Sequence, residues 1–193
     1  MDKPIFLCDM DDTLFDWSGV IIEGLNQIRH PTEKQFTPDN WRDHLSVPYI
    51  KTRVELIKSQ PNFYRNLPII NDGLSVWEAA RSIGYDCQIL TKGPYFQSQG
   101  WSQKYDCIRQ HLGASVNVHI VMDKALVYGA VLYDDSVDYL TRWLARRPRG
   151  LGIMPDQPNN KEFSHPQVLR HKDNLQEVYG RLENEYKRRI DAN

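Results

Sequence analysis

The sequence predicts an α/β fold in which helices cover both faces of a central parallel sheet, giving a three-layer sandwich. Two observations support this prediction. Short apolar runs alternate along the chain with segments of helical periodicity. The runs are apolar at nearly every position, as expected of strands that are buried on both faces. A chain of 193 residues can bury a substantial core, so we predict a single domain over residues 1–193.

The first strand is predicted at "PIFLCD", where four apolar residues stand between Pro4 and Asp9. From residue 71 onwards, apolar runs and helical segments follow one another regularly. This order is typical of strands that are joined by crossover helices into a parallel sheet. The predicted strands span residues 4–9, 85–90, 118–122, 130–135 and 149–154.

Helices are predicted where apolar residues recur at intervals of three and four. Asn71 or Asp72 is expected to cap the helix that begins there, and Gly84 to end it. Gly113 is expected to end the next helix, and Asp173 to cap the last one. The predicted helices span residues 16–30, 49–59, 71–84, 97–113, 136–147 and 173–190.

Residues 16–70 interrupt the regular alternation. Five prolines lie between positions 31 and 68, and this segment contains no apolar run typical of a strand. We therefore predict that residues 16–70 form a small helical cap inserted after the first strand.

The overall charge excludes some classes of partner. The formal net charge is −1 and the pI is about 6.6, so we expect neither a nucleic acid polymer nor a membrane as a partner. The N-terminal sequence reaches acidic residues at once, unlike a secretion signal. Three cysteines without CxxC spacing argue against a disulfide framework or a zinc site. These observations predict a cytoplasmic protein.

Charged and hydroxyl side chains follow the predicted strands at the point where each strand ends. In a parallel sheet these ends meet at one edge, which is where ligands bind in such folds. Residues that are far apart in sequence are therefore expected to lie together. They are Asp9 and Asp11 after the first strand, Thr91 and Lys92 after the second, Lys124 after the third, and Asp134 and Asp135 after the fourth.

Clustered carboxylates are tolerated if a hard cation lies among them, and Mg²⁺ prefers oxygen ligands. Asp9, Asp134 and a main-chain carbonyl of the first loop could supply these ligands. With Lys124 and Thr91 nearby, the same edge would suit a phosphate group. Each residue alone has an ordinary interpretation as a turn acid, a surface lysine or a strand-end hydroxyl. It is the four-part combination that favours a site.

In this combination the chain resembles the haloacid dehalogenase superfamily of phosphotransferases. "DMDDT" at residues 9–13 is similar to the first motif of that superfamily, Thr91 to the second, Lys124 to the third, and "DD" at residues 134–135 to the fourth. The resemblance implies a Rossmann-like core with a cap. It also implies that Mg²⁺ is the cofactor.

Within that superfamily the chain most resembles the 5'(3')-deoxyribonucleotidases. "DMDDTLFDW" is similar to their DMDGVLADF, and "MDKALVYGAVLYDD" also has a counterpart there. Three departures stand out. Asp12 and Thr13 replace Gly-Val, Lys92 replaces a serine that helps to hold phosphate, and Ser136 stands where arginine is common.

The resemblance implies a covalent mechanism. Asp9 would be the nucleophile and Asp11 the general acid and base. Asp9, Asp134 and the main-chain carbonyl of Asp11 would hold Mg²⁺, and Asp135 would orient the metal-bound waters. The phosphate would be held by Thr91, Lys124, Lys104 and Lys92.

The resemblance also places residues around the substrate. Trp17 is similar to a family aromatic that packs against the base, and Phe63 and Tyr64 would add flat surface. Ordinary core packing is the alternative for all three, and it is favoured for Phe63.

Three hypotheses on function follow. The leading one is a Mg²⁺-dependent phosphatase that acts on a small-molecule phosphomonoester, a nucleoside monophosphate. The second is a related phosphatase for another small ester such as a phosphosugar, and the third is a nucleotide-binding relative without turnover. The sequence is compatible with a homodimer but does not fix the oligomeric state.

Overall fold

The computed structural model describes residues 3–95 and 97–191. Its centre is a six-stranded sheet in which all neighbouring strands are parallel, in the order β3-β2-β1-β4-β5-β6. The fold class predicted from the sequence is therefore confirmed. The strands are β1 Ile5–Cys8, β2 Asp86–Lys92, β3 Val118–Val121, β4 Val131–Tyr133, β5 Leu151–Pro155 and β6 Val168–His171.

Helices connect or follow these strands and cover both faces of the sheet. Short 3₁₀ turns occur at Asp43–Ser46 and Lys124–Leu126. Of the described helices, none is long and apolar enough to cross a lipid bilayer. The helices are α1 Trp17–Gln27, α2 Pro48–Lys58, α3 Asn71–Ile83, α4 Ser98–Leu112, α5 Val137–Ala145 and α6 Leu175–Ile190.

Side chains of the central strand β1 alternate between two hydrophobic clusters, as the two-residue period of a strand requires. Phe6 belongs to the larger cluster, where its ring centroid lies 6.4 Å from that of Trp77 on α3. Leu7 belongs to the smaller cluster, which also contains Trp143 of α5. Burial on both faces explains why the run in "PIFLCD" is continuous rather than alternating.

Two local expectations from the sequence were wrong, and one strand was missed. Helix α3 begins at Asn71 itself, its N-cap residue is Ile70, and no side chain caps it. Helix α6 is preceded by Asn174, and Asp173 instead occupies a left-handed turn with a φ of 50°. The edge strand β6 was not predicted, because "VLRH" is half polar and short.

The expected glycine stops are present. Gly84 follows α3 with a φ of 116°, and Gly113 follows α4 with a φ of 91°. Both angles lie in the region that residues with a Cβ atom rarely adopt, so glycine ends these helices without backbone strain.

Helices α1 and α2 lie in the segment predicted as a cap, and they pack closely on each other. A Cβ atom built on Gly24 would lie 2.9 Å from Ile57 Cδ1. The segment is also joined to α4, because the Gln103 side chain accepts a hydrogen bond of 3.1 Å from Tyr64 N. Arg65 forms an ion pair with Asp106 of the same helix. The division at residues 16–70 stays a prediction.

Gly73 lets helix α3 approach the loop that follows β1. A Cβ atom at this position would lie 2.1 Å from the carbonyl oxygen of Thr13. Because that neighbour is main chain, Gly73→Ala must shift the helix or the loop. We expect the free energy of unfolding to fall by about 1–3 kcal/mol, measured by urea denaturation.

Gly180→Ala is the matched control for this prediction. Gly180 lies within α6, and nothing stands within 4 Å of a Cβ atom built there. Alanine at this site should raise the free energy of unfolding by about 0.4–1 kcal/mol. Equal destabilisation by the two substitutions would contradict the close approach at Gly73.

Candidate active site

The strand order brings the carboxyl ends of β1, β2 and β4 together, since β1 lies between the other two. Asp9 directly follows β1, and its main-chain amide donates a hydrogen bond of 2.9 Å to the carbonyl of Tyr133 on β4. Asp134 follows β4 and is fixed in the same way to Ile153 of β5, at 3.1 Å. The main chain of the sheet therefore positions both carboxylates at one edge.

Lys124 lies between these two carboxylates. Its Nζ atom is 2.6 Å from Asp9 Oδ1 and 2.7 Å from Asp134 Oδ2, and its side chain is 1% exposed. Burial lowers the pKa of the Lys124 ammonium group, but the charges of Asp134 and Asp9 outweigh burial and hold this pKa above its usual value. Lys124 therefore carries a positive charge between the carboxylates that follow β1 and β4.

Asp135 completes a cluster of acids at this edge. One carboxylate oxygen from each of Asp9, Asp134 and Asp135 lies within 4.8 Å of the others, and all three residues are buried. Burial raises the pKa of both Asp134 and Asp135, and Lys124 opposes the shift. The donor set of three hard oxygens with excess negative charge fits Mg²⁺. The role of Asp135 in orienting metal-bound waters stays a prediction, and its carboxylate lies close enough to those of Asp9 and Asp134 for it.

A second buried lysine, Lys104, forms an ion pair with Asp11. Lys104 Nζ on α4 donates hydrogen bonds to Asp11 Oδ2 at 2.5 Å and to Thr91 Oγ1 at 2.9 Å. Burial raises the pKa of the Asp11 carboxyl, and Lys104 opposes this. The other oxygen, Asp11 Oδ1, is buried without a hydrogen-bond partner among the described residues. Such an oxygen is suited to a ligand that enters the site.

Lys92 lies at the end of β2 but makes different contacts from the other lysines. Its Nζ atom lies 4.8 Å from the ring centroid of Tyr95 and 5.6 Å from that of Tyr139. It lines both cavities that open over the acids. Among the described residues, no carboxylate lies within ion-pair distance of this ammonium group.

The first of these cavities, with a volume of about 260 Å³, extends from Asp11 and Lys104 to the predicted cap. Trp17 and Tyr64 both line it. Phe63 is 7% exposed and packs edge-on against Tyr64, with ring centroids 4.9 Å apart. It belongs to the core and is not among the described residues that line either cavity. This placement fits the packing alternative for Phe63.

The second cavity, of about 410 Å³, contains Asp9, Lys124 and Asp135 together with Arg42 from the cap segment. Arg42 Nη2 lies 2.9 Å from Asp12 Oδ2, and the same carboxylate accepts hydrogen bonds from Ser18 N at 2.6 Å and Ser18 Oγ at 2.5 Å. The network ties the cap segment to the loop that carries Asp11. Sequence reasoning missed it, because nothing in the sequence relates Arg42 to Asp12.

Asp12 has a φ of 59°, a left-handed conformation that an acid adopts at some cost. The three hydrogen bonds to its carboxylate offset that cost. One signal was available, because similar sequences have glycine at this position and glycine commonly marks a positive φ.

Asn160 supports the acidic cluster from behind and was also missed. It is 2% exposed, and its Nδ2 atom donates hydrogen bonds of 3.0 Å to the carbonyls of Asp135 and Pro155. Thr13 Oγ1 accepts a hydrogen bond of 3.0 Å from Asp135 N. The main chain of Asp135 is therefore held on both sides. A polar residue in a loop gives no sequence signal for such a long-range contact.

The fold agrees with comparisons to known proteins. Residues 3–184 match the family described as "5' nucleotidase, deoxy (Pyrimidine), cytosolic type C protein". The chain belongs to this family. It is therefore an enzyme of the nucleotidase class, and the resemblance read from its motifs is confirmed.

Individual relatives of this nucleotidase-family chain are distant in sequence. A Bordetella bronchiseptica protein named "Putative 5'(3')-deoxyribonucleotidase" is 28% identical over 168 residues, covering 82% of this chain and 86% of that protein. A haloacid dehalogenase-like hydrolase from Streptococcus pneumoniae superposes with a TM-score of 0.57 at 14% identity, covering 93% of this chain and 98% of the other. A Bacillus subtilis HAD-hydrolase solved with bound magnesium superposes with a TM-score of 0.54 at 11% identity, covering 94% of this chain and 99% of the other. These structural matches show the shared fold.

Removing Lys124 tests the electrostatics of the site. Lys124→Met leaves the carboxylates of Asp9 and Asp134 buried without their shared cation, so we expect the free energy of unfolding near pH 7 to fall by about 3–5 kcal/mol. Urea denaturation in EDTA measures this loss. The pKa of Asp134, about 7 beside Lys124, rises further without the lysine, so the folded variant keeps this proton at a pH where the folded wild type has released it. The loss should therefore be largest above about pH 7 and shrink as the pH falls through that value.

Lys187→Met is the matched control. Lys187 forms an ion pair with Glu183 on α6, but its side chain is 63% exposed. Exposed pairs contribute about 0.5 kcal/mol or less. Equal losses for the two variants, or a loss at Lys124 that does not depend on pH, would contradict the assigned role of Lys124.

Proposed function

We propose that this chain is a Mg²⁺-dependent phosphomonoesterase that hydrolyses nucleoside monophosphates through an aspartyl-phosphate intermediate. The observation that carries the proposal is that Asp9 and Asp11 line one shared cavity while each forms an ion pair with a different buried lysine. The name of the Bordetella relative refers to deoxyribonucleotides, which supports nucleotides as the substrate class.

In the first step, a carboxylate oxygen of Asp9 attacks the phosphorus atom. A bond forms between this oxygen and phosphorus as the bond between phosphorus and the ester oxygen breaks. Lys124 holds the attacking carboxylate of Asp9 in place through an ion pair of 2.6 Å. The product of this step is an acyl phosphate on Asp9.

Asp11 transfers protons in both steps. It first donates a proton to the leaving ester oxygen. It then accepts a proton from the water whose oxygen bonds to the phosphorus of the acyl phosphate, as the bond between phosphorus and the Asp9 oxygen breaks and releases inorganic phosphate. The raised pKa of Asp11, caused mainly by burial, supports this role because a group that donates a proton must first hold it. The hydrogen bond from Lys104 orients its carboxyl.

The residues around the nucleophile are suited to a cation and a phosphate. Asp9, Asp134 and the main-chain carbonyl of Asp11 would hold Mg²⁺, with Asp135 beside them. When bound, the ion neutralises negative charge on the phosphoryl oxygens. Thr91, Lys104 and Lys92 would hold the other phosphoryl oxygens, since phosphoryl transfer depends mainly on positioning and charge stabilisation.

The cavity between Asp11 and the cap segment would receive the nucleoside. Trp17 and Tyr64 give it aromatic walls, and a flat base stacks favourably on such rings. Tyr95 lines the same cavity. Three aromatic residues offer more stacking surface than a phosphosugar needs, which favours a nucleoside.

Substitution of the nucleophile separates covalent catalysis from positioning. Asp9→Asn should lower kcat by about 10⁴-fold or more, because the amide cannot form the acyl phosphate. Thr91→Ala should lower kcat/KM by only about 10²-fold, as expected for one lost contact to phosphate. Phosphate release under saturating Mg²⁺ measures both values. Wild-type activity in purified Asp9→Asn would overturn the covalent mechanism.

A panel of phosphomonoesters, assayed with Mg²⁺ and with EDTA, tests the substrate class. We expect hydrolysis of deoxyribonucleoside monophosphates with Mg²⁺ and none with EDTA. Preference for sugar phosphates would support the alternative phosphatase instead. Nucleotide binding without phosphate release would indicate a relative that has lost turnover.

A further inference from the structure

Tyr139 stands in the first turn of α5, on the wall of the cavity that contains Asp9. Its ring centroid lies 4.6 Å from Lys124 Nζ and 5.6 Å from Lys92 Nζ. Both distances fall within the range of cation–π interactions. One aromatic ring therefore contacts two of the four cationic or hydroxyl groups assigned to the phosphate.

The two lysines differ in how else they are held. Lys124 is fixed by two carboxylates, as described above. Lys92 has only aromatic side chains beside it among the described residues that neighbour its ammonium group, namely Tyr139 and Tyr95. Contact with the Tyr139 side chain raises the pKa of Lys92. The charge of Lys92 is thus present but not neutralised by an acid, which leaves it available to an anion.

The main chain of Tyr139 is held at the start of helix α5. Ser136 Oγ accepts a hydrogen bond of 3.4 Å from Tyr139 N and caps α5, directly after the acid pair Asp134 and Asp135. The ring is therefore attached to the same segment as the metal-binding acids. A lysine held by this ring keeps a constant position relative to them.

We propose that Tyr139 is a positioning residue that holds Lys92 against the transferred phosphate. The inference rests on the proposed phosphatase function and extends it to a residue outside the superfamily motifs. Lys92 stands where similar sequences have a small hydroxyl residue, so a long flexible ammonium group needs a support that serine does not. The ring of Tyr139 supplies that support.

A double-mutant cycle of Lys92→Met and Tyr139→Leu tests the proposal. The measured quantity is the inhibition constant of inorganic phosphate, with p-nitrophenyl phosphate as substrate and Mg²⁺ present. Lys92→Met should raise this constant about tenfold in the wild-type background and less than about twofold in the Tyr139→Leu background. Equal effects of Lys92→Met in the two backgrounds would overturn the proposal.

Tyr139→Phe keeps the ring, so the effect of Lys92→Met should persist in that background. Its loss there would show that the ring is not the support. Tyr105→Leu is the control for removing an exposed cation–π contact, since the ring of Tyr105 lies 5.4 Å from the Arg109 guanidinium and Tyr105 is not among the described residues that line either cavity. It should leave the inhibition constant unchanged.

The role of Tyr139 can be tested even if the proposed phosphatase function is wrong. If the wild type hydrolyses no phosphomonoester, binding of inorganic phosphate can be measured by calorimetry with Mg²⁺ on the same four proteins. The same non-additivity is expected there. Additive losses in phosphate binding would overturn the role of Tyr139 whatever the activity. Thermal unfolding of each variant identifies any loss that comes from misfolding.

Discussion

The ion pairs that Lys124 forms with Asp9 and Asp134 are the interaction on which the rest of the site depends. Two carboxylates buried side by side repel each other strongly, and a single ammonium group makes their approach tolerable. The compensation is incomplete, because Asp135 adds a third acid nearby. The fold thus maintains a local excess of negative charge, which is the condition under which a hard cation binds well.

Asp9 and Asp11 form ion pairs with two different buried lysines. Lys124 is shared by Asp9 and Asp134, whereas Lys104 contacts Asp11 and Thr91. They come from different elements, a 3₁₀ turn after β3 and helix α4. Aspartates two residues apart therefore have different surroundings, which the separate roles proposed for Asp9 and Asp11 require.

Much of this arrangement could be predicted from the sequence. Apolar runs that end in acids identify Asp9, Asp11 and Asp134, because strand ends in a parallel sheet share an edge. Strand β6 escaped prediction because a short, half-polar edge strand resembles a loop in sequence. The contacts of Arg42 and Asn160 depend on tertiary packing across distant segments. No periodicity or motif encodes such contacts.

The position of β1 in the middle of the sheet has a consequence for biosynthesis. The ribosome delivers β1 first, yet its neighbour β4 emerges only after more than half of the chain has been made. Until then one edge of β1 lacks its partner, and Asp9 lacks the main-chain hydrogen bond to Tyr133 that positions it. Nascent or truncated chains should therefore be inert towards phosphate esters, so that activity appears only when the domain is nearly complete.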